Sequence, residues 1–169
     1  MLDLVLETDP EWESSSVDWA ETADRAVRAA VSASAFPQLL DGARPVELSM
    51  TLADDDAVHA LNKQWRGKDK PTNVLSFPMT EADELETESS SPLPLMLGDI
   101  ILAHGVCARE ADDKGIAFAD HAQHLMVHGT LHLLGYDHLD DGEAEAMEAL
   151  ERQALAGIGI ADPYRAEAH

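Results

Sequence analysis

Residues 128–138 read HGTLHLLGYDH, and no other stretch restricts the chain as much, because it asks for a helix end followed at once by a turn. His128 and His132 are four apart, so a helix places their side chains one turn apart on one face. Gly135 can close that helix in a left-handed conformation and let His138 approach from outside it. Three imidazole nitrogens so placed leave a fourth tetrahedral position for water, the set expected of a catalytic zinc site rather than a closed structural one. Taken singly, each histidine is as readily a core or surface residue; the three together carry the metal reading. Imidazoles suit zinc, and magnesium is disfavoured without a carboxylate-rich shell, although nickel or copper could bind the same nitrogens. One Zn²⁺ per chain is the expectation.

The neighbours of this motif are less decisive. Asp137, beside His138, is open to a turn contact or an outer hydrogen bond, and His124, one turn before His128, to the outer shell or the core. His59, His104 and His121 have no privileged claim on a metal. Hydrolytic motifs of the HExxH type keep a glutamate beside the first ligand to take a proton from metal-bound water, and here that position is Gly129. A zinc peptidase is therefore the poorer reading. Phosphodiester cleavage stays open, because a metal can stabilise charge developing on phosphate. Asp99, in LGDI at 97–100, is a candidate proton carrier, with a buried hydrogen-bonding role equally open.

Charge narrows the partner. The chain has 33 acids against 11 bases, a formal charge of −22, which argues against coating nucleic acid nonspecifically. Yet KQWRGKDK at 63–70 gathers Lys63, Arg66, Lys68 and Lys70 around Trp65, an arrangement open to phosphate contact or to a solvated helix end. A single cysteine, Cys107, excludes an internal disulfide framework and fits a reducing cytoplasm. Neither a secretion signal, a membrane span nor a lipid anchor is expected.

The 169 residues are expected to form a single domain, 1–169. Strands are predicted at 2–7, 46–52, 71–78 and 97–104, the third bounded by prolines and so expected at a sheet edge. Helices are predicted at 17–35, 54–65, 105–113, 117–135 and 141–156, with Gly67 closing the second. Residues 80–94, with five acids and two prolines, read as an exposed acidic loop. The fold class expected is α+β: a small mixed sheet covered by several helices, with the metal site on a helix and the turn after it.

With these features in place, the sequence resembles the bacterial YbeY family of rRNA maturation factors over most of its length. The likeness is strongest in NKQWRGKDKPTNVLSFP at 62–78, LGDI at 97–100 and HLMVHGTLHLLGYDH at 124–138. The family usually has aspartate where this chain has Asn73. The resemblance implies a single-strand-specific metallo-endoribonuclease acting on the 16S rRNA precursor at its 3′ end. It also implies a role in late-stage quality control, with the small ribosomal subunit or 70S ribosome as partner. Carried over by position, His128, His132 and His138 resemble the zinc ligands and Arg66 the functional arginine. His128 would then act only indirectly, as a ligand. Either water or the RNA 2′-hydroxyl would be the nucleophile. A zinc-stabilised, non-catalytic ribosome assembly factor is the alternative.

Overall fold

The computed structural model describes residues 2–42, 44–80, 94–137 and 140–163. Its framework is a four-stranded sheet of order β1-β2-β4-β3, with β1 Leu2–Thr8, β2 Val46–Ala53, β3 Val74–Pro78 and β4 Leu95–Ala103. β1, β2 and β4 run parallel, and β3 returns antiparallel to β4, so the mixed α+β reading holds. β3 is at the edge, as its flanking prolines require.

The strands alternate two faces. On one face lies α6 Phe118–Leu133, packed on β3 and β4, with α2 Trp19–Ala33 and α7 Asp141–Gly157 against it. From His121 to Leu133 only His128 and His132 are not fully buried, as expected of a helix apolar on nearly all sides. The main core fills this layer, from Leu48, Met50 and Ile100 on the sheet to Met126, Leu131 and Leu155 on the helices. On the other face a smaller cluster of Ala53, Val58, Leu75 and Ala103 sits under α4 Asp55–Arg66, beside which runs α5 His104–Lys114.

Local signals set the helix ends that matter for the site. Asp54 caps α4 by accepting from the Ala57 amide at 2.8 Å, with Asp55 and Asp56 in the first turn. Gly67, at φ 68°, ends it in the left-handed region that favours glycine. Gly135 does the same after α6 at φ 97°, and the Tyr136 hydroxyl accepts from the Ala35 amide at 2.9 Å, fastening the turn to the end of α2.

Two short elements went unrecognised in the sequence, α1 Pro10–Glu13 and α3 Gln38–Asp41. Four residues are too few to show a helical period. Residue 104 also changes element: His104 opens α5 rather than ending β4. The acidic segment 80–94, apart from Thr80 and Pro94, lies outside the described residues. Cys107 is buried with its Sγ 3.8 Å from the Asn73 carbonyl, and desolvation, then the charges of Glu110 and Asp55, push its thiol pKa up and leave it a poor nucleophile.

Candidate metal centre and cleft

His128 and His132 project from one side of α6, with their Nε2 atoms 3.1 Å apart and ring planes at 80°. Two nitrogens bound to one tetrahedral zinc at 2.0–2.1 Å are separated by about 3.3–3.4 Å, so the pair already stands near ligand spacing. The rings are held from behind. His128 Nδ1 donates to Glu151 Oε1 of α7 at 3.2 Å, and His124 Nε2 donates to the same oxygen at 2.7 Å. A carboxylate can only accept while ionised, so the bond places the His128 proton on Nδ1 and leaves Nε2 with a lone pair aimed into the cleft. The donor set therefore fits a nitrogen-ligated metal.

Glu151 is 1 % exposed, a setting that would normally protonate it. Burial does raise its pKa, but hydrogen bonds from His124 and His128, joined by the charge those rings carry when protonated, more than compensate, taking it down to about 2. The depressed value makes this pairing a stabilising contribution that is complete above the ordinary carboxyl value near 4.5 and disappears as pH falls through 2. Glu151 was not singled out in the sequence. The signal was available: it occupies the apolar stripe of α7 with Met147, Ala154 and Leu155, where a carboxylate needs a buried partner.

Gly129 has a packing explanation. A Cβ there would lie 3.0 Å from Ile100 Cγ2 and 3.1 Å from Ser76 Oγ, so α6 rests on β3 and β4 through this glycine. The position faces β3 and β4, where a longer side chain would have to displace Ile100 or Ser76.

The histidine pair opens into a cleft of 850 Å³ walled by the end of α4, β3 and the turn after α6. Trp65, Arg66, Asn73, Phe77, Tyr136 and Asp137 all line it. Of the four bases in 63–70, only Arg66 reaches this wall. Lys63 is 4.0 Å from Asp69, and Lys68 and Lys70 are exposed away from the cleft. Among the described residues no acid pairs with the Arg66 guanidinium. The buried alternative for Asp99 is corrected, because it is exposed, and it is not among the residues that line the cleft. Its strand neighbour Ile100 faces α6, so the two-residue period sends Asp99 to the other face of the sheet. His138 lies outside the described residues.

Asn73 shows why an amide is accommodated here. Its Nδ2 donates to Glu110 Oε1 at 3.0 Å, and His121 Nε2 donates to the same oxygen at 2.9 Å. An aspartate would set two carboxylates against each other. Burial lowers the His121 pKa, with Glu110 partly opposing, so this ring is biased toward neutrality. The remaining histidines have their own partners: His59 meets Asp69 at 2.7 Å, and His104 meets Glu11 at 3.3 Å among Trp12 and Phe118. Carboxylates of Asp9, Glu11 and Asp54 also converge to within 4.8 Å on other elements, where Asp9 and Asp54 act as helix caps.

Comparison with known proteins identifies the family. The family model described as endoribonuclease YbeY matches residues 8–159. A protein named endoribonuclease YbeY from Rhizorhabdus wittichii is 55 % identical over 165 residues, covering 97 % of both chains. Its namesake from Novosphingobium aromaticivorans is 56 % identical over 166 residues, covering 97 % of this chain and 96 % of that one. The solution structure of TM1509 from Thermotoga maritima shares the fold, with a TM-score of 0.54 at 20 % identity over 94 % of this chain and 91 % of that one.

Proposed function

The chain belongs to the endoribonuclease YbeY family, and on that premise we propose that it is a zinc-dependent endoribonuclease cutting single-stranded RNA in the cytoplasm. Its physiological substrate is the 16S rRNA precursor, processed at the 3′ end and checked late in assembly on the small subunit or the 70S ribosome. The observation that carries this reading is the convergence of the His128 and His132 Nε2 atoms, backed by buried Glu151, on a cleft whose wall presents Arg66.

His128, His132 and His138 would hold the zinc. When bound, the ion supplies Lewis acidity to a phosphodiester in the cleft. The protein's own groups do the rest. Glu151 keeps His128 in the ligating tautomer, so His128 acts through coordination and is not a free base. Arg66 offers a planar fork of N–H donors to phosphate oxygens and counters the added charge of the transition state. Asp137, on the same wall, is an outer-shell hydrogen-bonding partner of the site. Gly129 leaves no acid beside the first ligand, and peptide hydrolysis of the HExxH kind has no base there.

Purified protein should cleave a short single-stranded RNA, lose that activity on chelation and recover it with Zn²⁺, while the same sequence in a duplex resists. Intact RNA in the presence of folded, zinc-replete protein would overturn the nuclease reading in favour of a non-catalytic assembly role. Glu151→Gln gives a readout independent of turnover. Loss of the carboxylate should weaken zinc binding roughly 10- to 100-fold, the usual scale for an outer-shell partner of a ligating histidine. Competition with a chromophoric chelator measures this, and unchanged affinity would remove Glu151 from its positioning role.

A further inference from the structure

We propose that Trp65 is a stacking platform for an unpaired nucleobase, and that it lets the cleft prefer single-stranded over paired RNA. The inference rests on the endoribonuclease reading for its ligand class, and its evidence is the contrast among the chain's three tryptophans. Trp12 and Trp19 are buried edge to face, with ring centroids 5.0 Å apart, and both pack on Phe118. Their indole N–H groups are satisfied: Trp12 donates to the Ala53 carbonyl at 2.8 Å and Trp19 to the Trp12 carbonyl at 2.9 Å. Trp65 is 65 % exposed, and among the described residues no other ring contacts it.

An isolated apolar side chain on a surface needs no explanation. Trp65 differs in its setting, since it stands on the wall of the histidine cleft next to Arg66, with Phe77 on the same wall. Its backbone is also fixed. Buried Asn62 donates through Nδ2 to the Lys70 carbonyl at 2.8 Å, the Lys68 amide donates to the Asn62 carbonyl at 3.2 Å, and Gly67 closes the helix between them. The ring is thus presented from an ordered helix end.

Charge favours such a contact. A chain of net charge −22 repels a polyanion, and only one of the four clustered bases lines the cleft. A contact that does not depend on phosphate charge adds affinity without that penalty, and a nucleobase face on an indole supplies one. In a duplex both faces of an internal base are covered by its neighbours, so the platform is available only to an unpaired residue.

The test uses zinc-loaded protein and a ten-residue 2′-O-methyl oligoadenylate, which binds without supplying a free 2′-hydroxyl. Tryptophan fluorescence should be quenched on binding in the wild type and not in Trp65→Ala. Trp65→Ala should bind roughly 5- to 150-fold more weakly, the span of single-ring stacking effects, and Trp65→Phe should retain most of the affinity. Zinc content and melting temperature should be unchanged in both variants. A blunt duplex of the same length should bind equally poorly to wild type and Trp65→Ala. Wild-type affinity in Trp65→Ala, or duplex binding that depends on Trp65, would overturn the proposal. Its failure is separable from that of the nuclease reading. Cleavage of unmodified RNA together with indifference to Trp65 rejects only the platform. Trp65-dependent binding without any cleavage rejects only the nuclease.

Discussion

Gly129→Glu, the single change that completes an HExxH pattern, is expected to destabilise the protein severely rather than create a peptidase. The first cost is steric, because even a Cβ at this position stands 3.0 Å from Ile100 and 3.1 Å from Ser76, on strands that α6 cannot leave without opening the main core. Overpacking of this kind costs about 1–3 kcal/mol. The second cost is electrostatic. The new carboxylate would enter a helix-to-sheet interface with no cation to receive it, and an uncompensated buried charge costs about 3–5 kcal/mol. A combined loss of about 4 kcal/mol or more corresponds to a fall in melting temperature on the order of 10 °C for a chain of this size. Thermal melts of the variant beside Gly129→Ala separate the two costs, since alanine adds only the Cβ and improves helix propensity. A Gly129→Glu protein melting with the wild type would mean that α6 does not rest on the sheet through residue 129, and would reopen that position to a catalytic base.

That glycine also shows where sequence reading succeeded and where it could not. The interval between His128 and His132 is a helical repeat, so the sequence alone brought the two rings together. Gly67 and Gly135 were likewise readable, because a positive φ is a local requirement. Partners supplied by distant elements were not. Glu151 reaches His128 and His124 from 23 and 27 residues further along the chain, and only its place in the apolar stripe of α7 hinted at burial. The reason for glycine at 129 lies in the approach of Ile100 and Ser76, which no helical pattern encodes. Asp99 takes its place from the strand period. It was singled out for its chemistry, while the strand's alternation gave the α6 face to Ile100 instead. The basic segment is divided by the same kind of geometry. Composition grouped four cations together, and of these Arg66 lines the cleft while Lys63, Lys68 and Lys70 are exposed beside it in sequence.

Arg66→Ala is expected to keep the fold and its zinc while cutting RNA cleavage by roughly 10²- to 10³-fold, the scale found when one preorganised donor to a developing anion is removed. The structural half follows from exposure. Arg66 lies in the last turn of α4, outside both hydrophobic clusters, and the left-handed Gly67 that ends the helix does not depend on its side chain. The catalytic half follows from scarcity. On the walls of the cleft Arg66 is the one lysine or arginine among the described residues, so no neighbouring cation can replace it at a phosphate. Arg66→Lys should recover only part of the rate, because an ammonium restores charge without the two parallel donors of the guanidinium. Single-turnover cleavage of a short single-stranded RNA at saturating protein isolates the chemical step, with zinc content and melting temperature measured on the same preparations. A purely structural arginine predicts that stability or metal content falls together with rate. Full activity in a folded, zinc-loaded Arg66→Ala protein would place the stabilisation of the transition state with the metal alone, and would leave the cleft without a protein cation that acts on phosphate.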